Sequence, residues 1–408
     1  MKTKIIRENI SDAAEIIRRG GLVAVPTETV YGLAGNGLDE TAVRQIYEVK
    51  GRPEVKALSL MVPDSASMER YCREVPPAAY ALARQYWPGP LTIVLKSRAI
   101  VPAITRAGGE TVGLRCPDHP MTLELLRACG LPLAAPSANP SGMASPKTAA
   151  QVADYFDGRI DGIIDGGPCG IGTESTIIDL SKTPFTILRT GALREETVFA
   201  ALRDSVKLIG ITGGTGGGKT TALRVLEAKG ALILDCDEIY HELTVSSGAM
   251  REELTARFGD VYDGTILNRK KLGAIVFSDA AALAELNRIT HKYVASELDR
   301  RLTDFAVNGG TLAAIDAIEL LSIPHAGRTL VNVAVTAPVE DRVRRLMLRE
   351  GISEEYARQR IAAQKSDAYF AEHCDAVLHN DGTKQEFEQK CSDYFSEVLQ
   401  SCLKPIRN

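Results

Sequence analysis

The clearest chemical feature of the chain is a glycine-rich run near its middle that ends in lysine and threonine. Gly213, Gly218, Lys219 and Thr220 fill the fixed positions of the phosphate-binding pattern G-x-x-x-x-G-K-[ST]. In such a turn, successive backbone N–H groups converge on phosphate oxygens, the lysine adds a positive charge and the hydroxyl can ligate Mg²⁺. The run therefore predicts a nucleotide site with Mg²⁺ at Thr220.

Two further groups in the same half have the chemistry of phosphate transfer. Asp237 follows a predicted strand, where a carboxylate can accept the proton of an attacking hydroxyl, although capping of the next helix explains an aspartate there equally well. Spacing of three or four residues places Arg342, Arg345 and Arg349 on one face of a helix. That arginine run fits a mobile lid over a transferring phosphate, and it also fits an ordinary solvated helix face.

The first half of the chain carries a second constellation of polar residues, without a phosphate loop. Hydroxyl side chains occur at Thr27, Tyr31 and Ser175, and a basic cluster contains Lys50 and Arg52. Small polar side chains at strand ends can bind a triphosphate and a small zwitterion without covalent chemistry. Taken singly, each segment is also explained by turn chemistry or by a solvated helix end, so the prediction depends on the order of all the segments.

Hydrophobic periodicity predicts the elements that position these residues. In the second half, a strand over 207–211 precedes the glycine-rich run and a helix over 220–229 follows it. A strand over 232–234, a long helical run to residue 302, strands over 312–315 and 331–335, and then only helices complete that half. The first half alternates short strands with helices. The predicted fold is α/β, with a mixed first domain over 1–205 and a parallel three-layer domain over 206–408.

Composition narrows the classes of partner. Hydrophobic residues make up 45% and charged residues 25% of the 408 residues, and the net charge of −4 gives no general field for nucleic acid or anionic membrane. The eight cysteines form no C-x-x-C pair, which argues against zinc and against a disulfide framework. No apolar segment approaches the length of a signal peptide or a membrane span, so we expect a cytoplasmic protein with no membrane partner.

The second half resembles dephospho-CoA kinase over about Leu208 to Thr383. The likeness includes the phosphate loop, the strand-end Asp237, the Arg345 and Arg349 helix, Arg360 with Gln364, and 375–380. It implies a P-loop kinase domain with a helical lid, which transfers phosphate from ATP to the ribose 3′-hydroxyl of dephospho-CoA, with Asp237 and Lys219 as catalytic residues. The implied ATP-binding residues are Gly213, Gly214, Thr215, Gly216, Gly217, Gly218, Lys219, Thr220, Thr221, Arg345 and Arg349. Lys292, where proline is usual, and 318–321 depart from the family pattern beside the acceptor region.

The first half resembles YrdC-type threonylcarbamoyl-AMP synthases over about Ile10 to Leu193. The likeness includes 26–33, 50–56, 87–92, 136–142, 172–176 and 188–191. It implies a twisted mixed-sheet α/β domain that joins L-threonine, bicarbonate and ATP, releases pyrophosphate, and supplies threonylcarbamoyl-AMP to a tRNA-modifying transferase. The implied residues are Lys50, Arg52, Ser137, Asn139 and Arg189 for ATP, with Lys50 and Arg52 also catalytic, and Thr27, Tyr31 and Ser175 for threonine.

The two resemblances together predict a bifunctional enzyme, a nucleotidyltransferase joined to a phosphotransferase. Both activities use ATP, with Mg²⁺ as the expected cofactor and no tightly held organic group. Two alternatives stay open. The first half is an RNA-binding module that lacks synthase activity, or the second half is a kinase for another nucleotide or a small metabolite.

Overall fold

The computed structural model describes residues 2–401, which form two compact units. The first unit takes the chain up to Ser205 together with the short segment Ala306–Gly309, and the second takes Val206–Phe305 and the chain from Gly310 onward. Within the described residues, no helix is long and apolar enough to cross a membrane. Each unit is built around its own sheet.

The first unit contains a ten-stranded sheet in which parallel and antiparallel pairs alternate irregularly. Its strands are β1 (Lys4–Ile6), β2 (Val23–Val25), β3 (Gly32–Asn36), β4 (Leu60–Met61), β5 (Leu91–Lys96), β6 (Thr111–Arg115), β7 (Leu133–Ala134), β8 (Gly162–Ile164), β9 (Thr176–Asp179) and β10 (Thr186–Arg189). The spatial order is β1-β8-β2-β3-β7-β4-β6-β5-β9-β10. The mixed α/β class predicted for this half is confirmed.

Seven helices accompany this sheet among the described residues. They are α1 (Ile10–Arg18), α2 (Glu40–Lys50), α3 (Ser67–Tyr71), α4 (Pro77–Tyr86), α5 (Pro120–Cys129), α6 (Ala149–Phe156) and α7 (Glu195–Asp204). The amphipathic faces of α1 and α5 pack together against strands β2 and β8, which buries Ile17 and Leu125 completely. Helix α2 begins at the N-cap Asp39, whose carboxylate accepts from the Thr41 N–H, and it ends at Gly51 with φ +60°. Lys50 is therefore fixed as its last residue.

The second unit contains a five-stranded sheet in which every pair is parallel. Its strands are β11 (Lys207–Thr212), β12 (Leu232–Asp235), β15 (Leu312–Asp316), β16 (Val331–Thr336) and β17 (Ala376–His379), in the order β12-β15-β11-β16-β17, and β13 (Tyr262–Asp263) and β14 (Ile266–Leu267) form a separate hairpin. The helices are α8 (Lys219–Ala228), α9 (Cys236–Ser246), α10 (Gly248–Phe258), α11 (Arg269–Val276), α12 (Ala280–Val307), α13 (Val339–Glu350), α14 (Glu354–Ala362), α15 (Asp367–His373) and α16 (Lys384–Ser401), with 3₁₀ turns at Leu320–Ser322 and Pro324–Arg328.

Side chains cover both faces of the parallel sheet. Alternate residues of β11, Ile209 and Ile211, are fully buried in a core that also contains Leu226 of α8 and Phe395 of α16. On the other face, a Cβ at Gly210 would lie 2.7 Å from Cδ2 of Leu320, so glycine at this position makes room for the 3₁₀ turn. The prediction of a parallel sheet with helices packed on it is confirmed.

Two predictions about elements of the second half were incomplete or wrong. The predicted long helical run is interrupted by the β13–β14 hairpin, where Gly264 takes φ +66°. The region after residue 335 is not only helical, because β17 adds the last strand of the sheet beside β16. Two strands of the first unit, β1 and β3, were also missed. Their segments are short, and β3 contains two glycines, which weakens the alternating signal.

Candidate active sites

A cavity of about 370 Å³ in the first unit collects the basic residues that the sequence singles out. Five cationic side chains line it, those of Lys50, Arg52, Lys56, Arg115 and Arg189. Glu174 is the one carboxylate in this wall within the described residues. Ser137, Asn139 and Ser175 line the same space. The excess of positive charge and hydrogen-bond donors suits a polyanion such as a triphosphate.

Lys50 joins the end of α2 to the loop that carries Ser137 and Asn139. Its Nζ donates to the backbone carbonyls of Ser137 and Asn139, and its own carbonyl accepts from the Ser141 N–H at 2.7 Å. The side chain is only 3% exposed. Burial and, to a smaller extent, the neighbouring positive charge of Arg52 together lower the pKa of Lys50 to about 8, against an opposing effect of the Glu174 carboxylate. Lys50 thus shapes the cavity as well as supplying charge to it.

Arg189 and Ser175 form a connected group on the opposite wall. The Arg189 guanidinium donates to the Glu174 carboxylate at 2.6 Å and to the Ser175 carbonyl at 2.8 Å and 3.1 Å. The Ser175 hydroxyl lies 2.8 Å from the hydroxyl of Thr92, which also lines the cavity. Glu174 and Ser175 lie just before β9, and Arg189 is the last residue of β10, so this antiparallel pair of strands positions the group.

The amide of Asn139 has an unused acceptor. Its Nδ2 donates to the Pro140 and Met143 carbonyls at 3.0 Å and 2.6 Å, which fixes the amide plane. Its Oδ1 is buried and has no hydrogen-bond partner among the described residues. A buried polar atom without a partner is costly, so Oδ1 is a candidate contact for a ligand.

Thr27 and Tyr31, predicted for threonine, are not among the described residues that line this cavity. The Thr27 hydroxyl contacts the Val30 carbonyl at 2.6 Å and the Thr29 hydroxyl at 2.8 Å. The Tyr31 hydroxyl donates to the Gly167 carbonyl at 2.7 Å, and burial raises the pKa of Tyr31 to about 12. The structure therefore gives both residues roles in shaping the wall, and their contact with threonine stays a prediction.

Sequence reasoning gave no site role to Arg115 and Glu28, which form a buried pair beside the cavity. Arg115 Nη2 donates to the Glu28 carboxylate at 2.7 Å and to the Thr29 hydroxyl at 2.8 Å, and Nε donates to the Gly89 carbonyl at 3.2 Å. The other Glu28 oxygen accepts from the Asp118 N–H at 3.0 Å. The sequence feature that pointed to this pair was Glu28, a glutamate among the small polar residues of the 26–33 segment.

A second cavity, also of about 370 Å³, lies at the glycine-rich run of the second unit. The run from Gly214 to Thr220 lines it, together with Asp235, Asp237, Asp316, Ile318, Arg345, Arg349 and Arg360. Gly213 and Thr221, predicted to bind ATP, are not among the described residues of this wall. Gly213 has a steric role, because its φ is +124° and a Cβ there would lie 2.2 Å from the Val335 carbonyl oxygen.

Three carboxylates meet at the carboxyl ends of adjacent strands, opposite the loop. Asp235 ends β12 and pairs in register with Asp316, which ends β15. Asp235 caps α9, because its Oδ1 accepts from the N–H groups of Asp237 and Glu238 at 2.8 Å and 3.1 Å. The two roles weighed for this segment are therefore divided: Asp235 is the cap, and Asp237 lies in the first turn with its carboxylate at the cavity.

Asp316 was missed, because the predicted strand was ended one residue too early. Its Oδ1 lies 3.3 Å from Nζ of Lys219, the lysine of the glycine-rich run. Burial raises the pKa of Asp316, the Lys219 ammonium opposes that rise, and the charges of Asp235 and Asp237 add to it. The sequence feature that could have identified Asp316 was its position directly after a buried apolar strand in a parallel sheet.

The arginine-rich helix α13 lies beside the loop. Arg345 Nη1 donates to the Gly216 carbonyl at 3.1 Å and the Gly217 carbonyl at 3.4 Å. Arg349 and Arg360 both pair with Glu350, and both line the cavity. Arg342 is instead buried against the outside of the loop. Of the three arginines predicted to share one helix face, Arg345 and Arg349 line the cavity and Arg342 does not.

Comparison with known proteins assigns the two halves of the chain to different families. Residues 15–191 match the family Sua5/YciO/YrdC, described as "Telomere recombination", and residues 207–386 match the family described as "Dephospho-CoA kinase". A threonylcarbamoyl-AMP synthase of Pyrococcus abyssi is 46% identical over 198 residues, which is 47% of this chain and 58% of that protein. The chain thus spans little more than half the length of that relative.

Two shorter relatives are covered almost completely. A threonylcarbamoyl-AMP synthase of Halorhodospira halophila is 35% identical over 170 residues, 42% of this chain and 89% of that protein. A dephospho-CoA kinase of Geobacter sulfurreducens is 32% identical over 195 residues, 47% of this chain and 98% of that protein. The chain therefore belongs to two families at once, joining a Sua5/YciO/YrdC domain to a dephospho-CoA kinase domain.

Proposed function

We propose that the chain is a bifunctional enzyme with two separate ATP sites. The first domain forms threonylcarbamoyl-AMP from L-threonine, bicarbonate and ATP, and the second phosphorylates the 3′-hydroxyl of dephospho-CoA. The observation that carries the proposal is a pair of cavities built by different means, one lined by five cationic side chains and the other by a glycine-rich loop.

In the first domain, the proposed reaction is attack of a threonine carbamate on the α-phosphorus of ATP, with pyrophosphate leaving. Such a displacement needs alignment and charge neutralisation more than a nucleophilic side chain. Arg52 and Arg189 supply fixed charge, Lys50 holds the wall, and the open acceptor of Asn139 suits a donor on the nucleotide or threonine. Ser175 completes the donor set through its hydroxyl. The product then passes to a tRNA-modifying transferase.

In the second domain, the proposed reaction is in-line transfer of the γ-phosphoryl group. The N–H groups of the loop and Lys219 hold the phosphates, Asp237 accepts the proton of the attacking hydroxyl, and Arg345 and Arg349 neutralise charge on the transferring group. Each role is served by a group that lines one cavity.

Magnesium fits the oxygen groups of this cavity. The Thr220 hydroxyl and the carboxylates of Asp235 and Asp316 are the hard oxygen ligands that the ion prefers. The described residues contain no cluster of three or more metal-binding side chains close enough to enclose an ion. In enzymes that use nucleotides, Mg²⁺ is usually held by one or two protein groups together with phosphate oxygens. The bound ion would neutralise phosphate charge.

One assay tests the proposal and its alternatives. The full chain is given ATP with Mg²⁺ and each acceptor set separately, and the products are identified by mass. Pyrophosphate release that needs both threonine and bicarbonate supports the synthase over an RNA-binding module. Phosphorylation of dephospho-CoA, tested against AMP, CMP and shikimate, supports the kinase assignment. Absence of either product, or preference for another acceptor, overturns the corresponding half.

A further inference from the structure

One threonine of the glycine-rich run is held by two side chains from outside the cavity. Gln364 accepts from the Thr215 N–H through Oε1 at 2.8 Å and donates from Nε2 to the Thr215 hydroxyl at 2.7 Å. Arg342 Nε donates to the Thr215 carbonyl at 2.9 Å, and its Nη2 donates to Gln364 Oε1 at 3.2 Å. All three polar groups of Thr215 are therefore engaged, and the two gripping side chains also bond to each other.

The two side chains come from either end of the arginine-rich helical hairpin. Arg342 lies in the first turn of α13, and Gln364 follows α14 by two residues. Arg342 is only 4% exposed, and neither residue is among the described residues that line the cavity, whereas Thr215 is. Their influence on a ligand must therefore pass through the loop.

The glycines next to Thr215 are shaped to this grip. A Cβ at Gly214 would lie 2.1 Å from Arg342 Nη2 and 3.1 Å from Gln364 Oε1. At Gly216, φ is +80° and a Cβ would lie 3.0 Å from the Arg342 carbonyl oxygen. The loop and the base of the hairpin therefore leave no room for a side chain at Gly214, and little at Gly216.

We propose that Gln364 and Arg342 are positioning residues, which hold the phosphate loop in its binding conformation through their hydrogen bonds to Thr215. The same bonds couple the loop conformation to the hairpin that carries Arg345 and Arg349. A loop that must supply converging N–H groups loses affinity when it samples other shapes, because only the competent fraction binds. The inference rests on the proposed nucleotide site. Its consequence is that the base of the hairpin moves with the loop.

The test measures binding of ATP with Mg²⁺ to the full chain by calorimetry. Lys219→Ala should weaken ATP binding at the loop and leave any other ATP site unchanged, so it shows which binding event belongs to the loop. Gln364→Leu removes both bonds to Thr215 with little change of volume, and we expect ATP at the loop to bind about tenfold more weakly. Gln359→Leu, on the exposed side of α14, is the matched control and should bind like wild type.

Two further variants separate positioning from general damage. Gln364→Glu keeps an acceptor for the Thr215 N–H and offers a second oxygen to its hydroxyl, so it should recover most of the affinity. Adding Thr215→Val to Gln364→Leu should weaken binding no further, because the hydroxyl has already lost its partner. Loss of folded protein alone would lower the fraction of binding sites and leave the dissociation constant unchanged.

The outcomes are distinct. If wild type and Lys219→Ala bind ATP alike, the nucleotide site is wrong and the inference falls with it. If they differ while Gln364→Leu binds like wild type, or if the Thr215→Val and Gln364→Leu effects multiply, only the inference is overturned.

Discussion

Replacing Lys219 with alanine should abolish the kinase reaction and spare the synthase reaction. In the cavity of the second unit, the Lys219 ammonium lies 3.3 Å from the Asp316 carboxylate and faces Asp235 and Asp237. Without it, Asp316 would lose the ammonium beside it, and three carboxylates would remain in the cavity to repel a triphosphate.

The size of the effect follows from two losses. A hydrogen bond from a charged donor contributes about 1.5–3 kcal/mol to binding. Removing one donor that stabilises charge in a transition state costs about a hundredfold to a thousandfold in rate. Because the loop N–H groups and Arg345 remain, some ATP binding should persist. We therefore expect kcat/KM for the acceptor to fall by about a thousandfold or more.

The assay follows both products from the same preparation. ADP formation with dephospho-CoA reports the kinase, and pyrophosphate formation with threonine and bicarbonate reports the synthase. Lys219→Ala should leave the second rate within about twofold of wild type, since the described residues that line the two cavities are different ones and sites with no shared partners are usually independent. Lys229→Ala is the matched control, because Lys229 follows the other end of α8 and bonds to Ser396 at 2.8 Å.

Two results would refute this reasoning. A kinase rate within about tenfold of wild type would mean that Lys219 is not the phosphate lysine. Equal loss of both activities would mean that the sites are not separate. The reciprocal variant, Lys50→Ala, should lower the synthase rate and leave the kinase rate intact.

Three other outcomes are expected. Because burial lowers the pKa of Lys50 to about 8, the ammonium is present below that pH and lost above it. Synthase kcat/KM should therefore fall as pH rises through about 8. The Lys50→Arg variant, which stays charged throughout, should not show that step. Asp237→Asn should lower kinase kcat by about a hundredfold with little change in ATP affinity, whereas binding weakened equally with rate would contradict its role as base. Glu28→Gln should raise the synthase KM for ATP or threonine by freeing Arg115, and an unchanged KM would show that Arg115 holds its place without the carboxylate.

Much of the fold could be predicted because the strongest signals are local. The strand, glycine-rich run and helix around Lys219 were placed to within one residue, since glycine conformation and helix periodicity act over a few residues. The β13–β14 hairpin and β17 were missed for the opposite reason. A strand of two residues has almost no periodicity, and β17 is a strand only because β16 offers it a parallel partner.

The candidate sites divide in the same way. Residues that touch a cavity from a motif, such as Arg52 and Arg189, could be named from sequence order. Asp316 and Glu28 each had a local sequence signal, but that signal does not reveal their roles. Those roles arise from partners far along the chain, Lys219 in one case and Arg115 in the other. The Tyr31 hydroxyl bonds to a backbone carbonyl and does not reach the cavity, but a tyrosine that did reach it would have the same sequence pattern.

Under the proposed function, the two cavities hold the same kind of anion by different means, and they should fail differently. The loop relies on backbone geometry: Gly218 takes φ +112°, and a Cβ there would lie 2.2 Å from Asn380 Nδ2, so the site depends on the absence of side chains. The first cavity relies on cationic side chains. The burial of Lys50 lowers its pKa, so its ammonium loses a proton more easily. We therefore expect side chains at Gly213 or Gly218 to disable the second domain, and deprotonation of Lys50 at alkaline pH to disable the first.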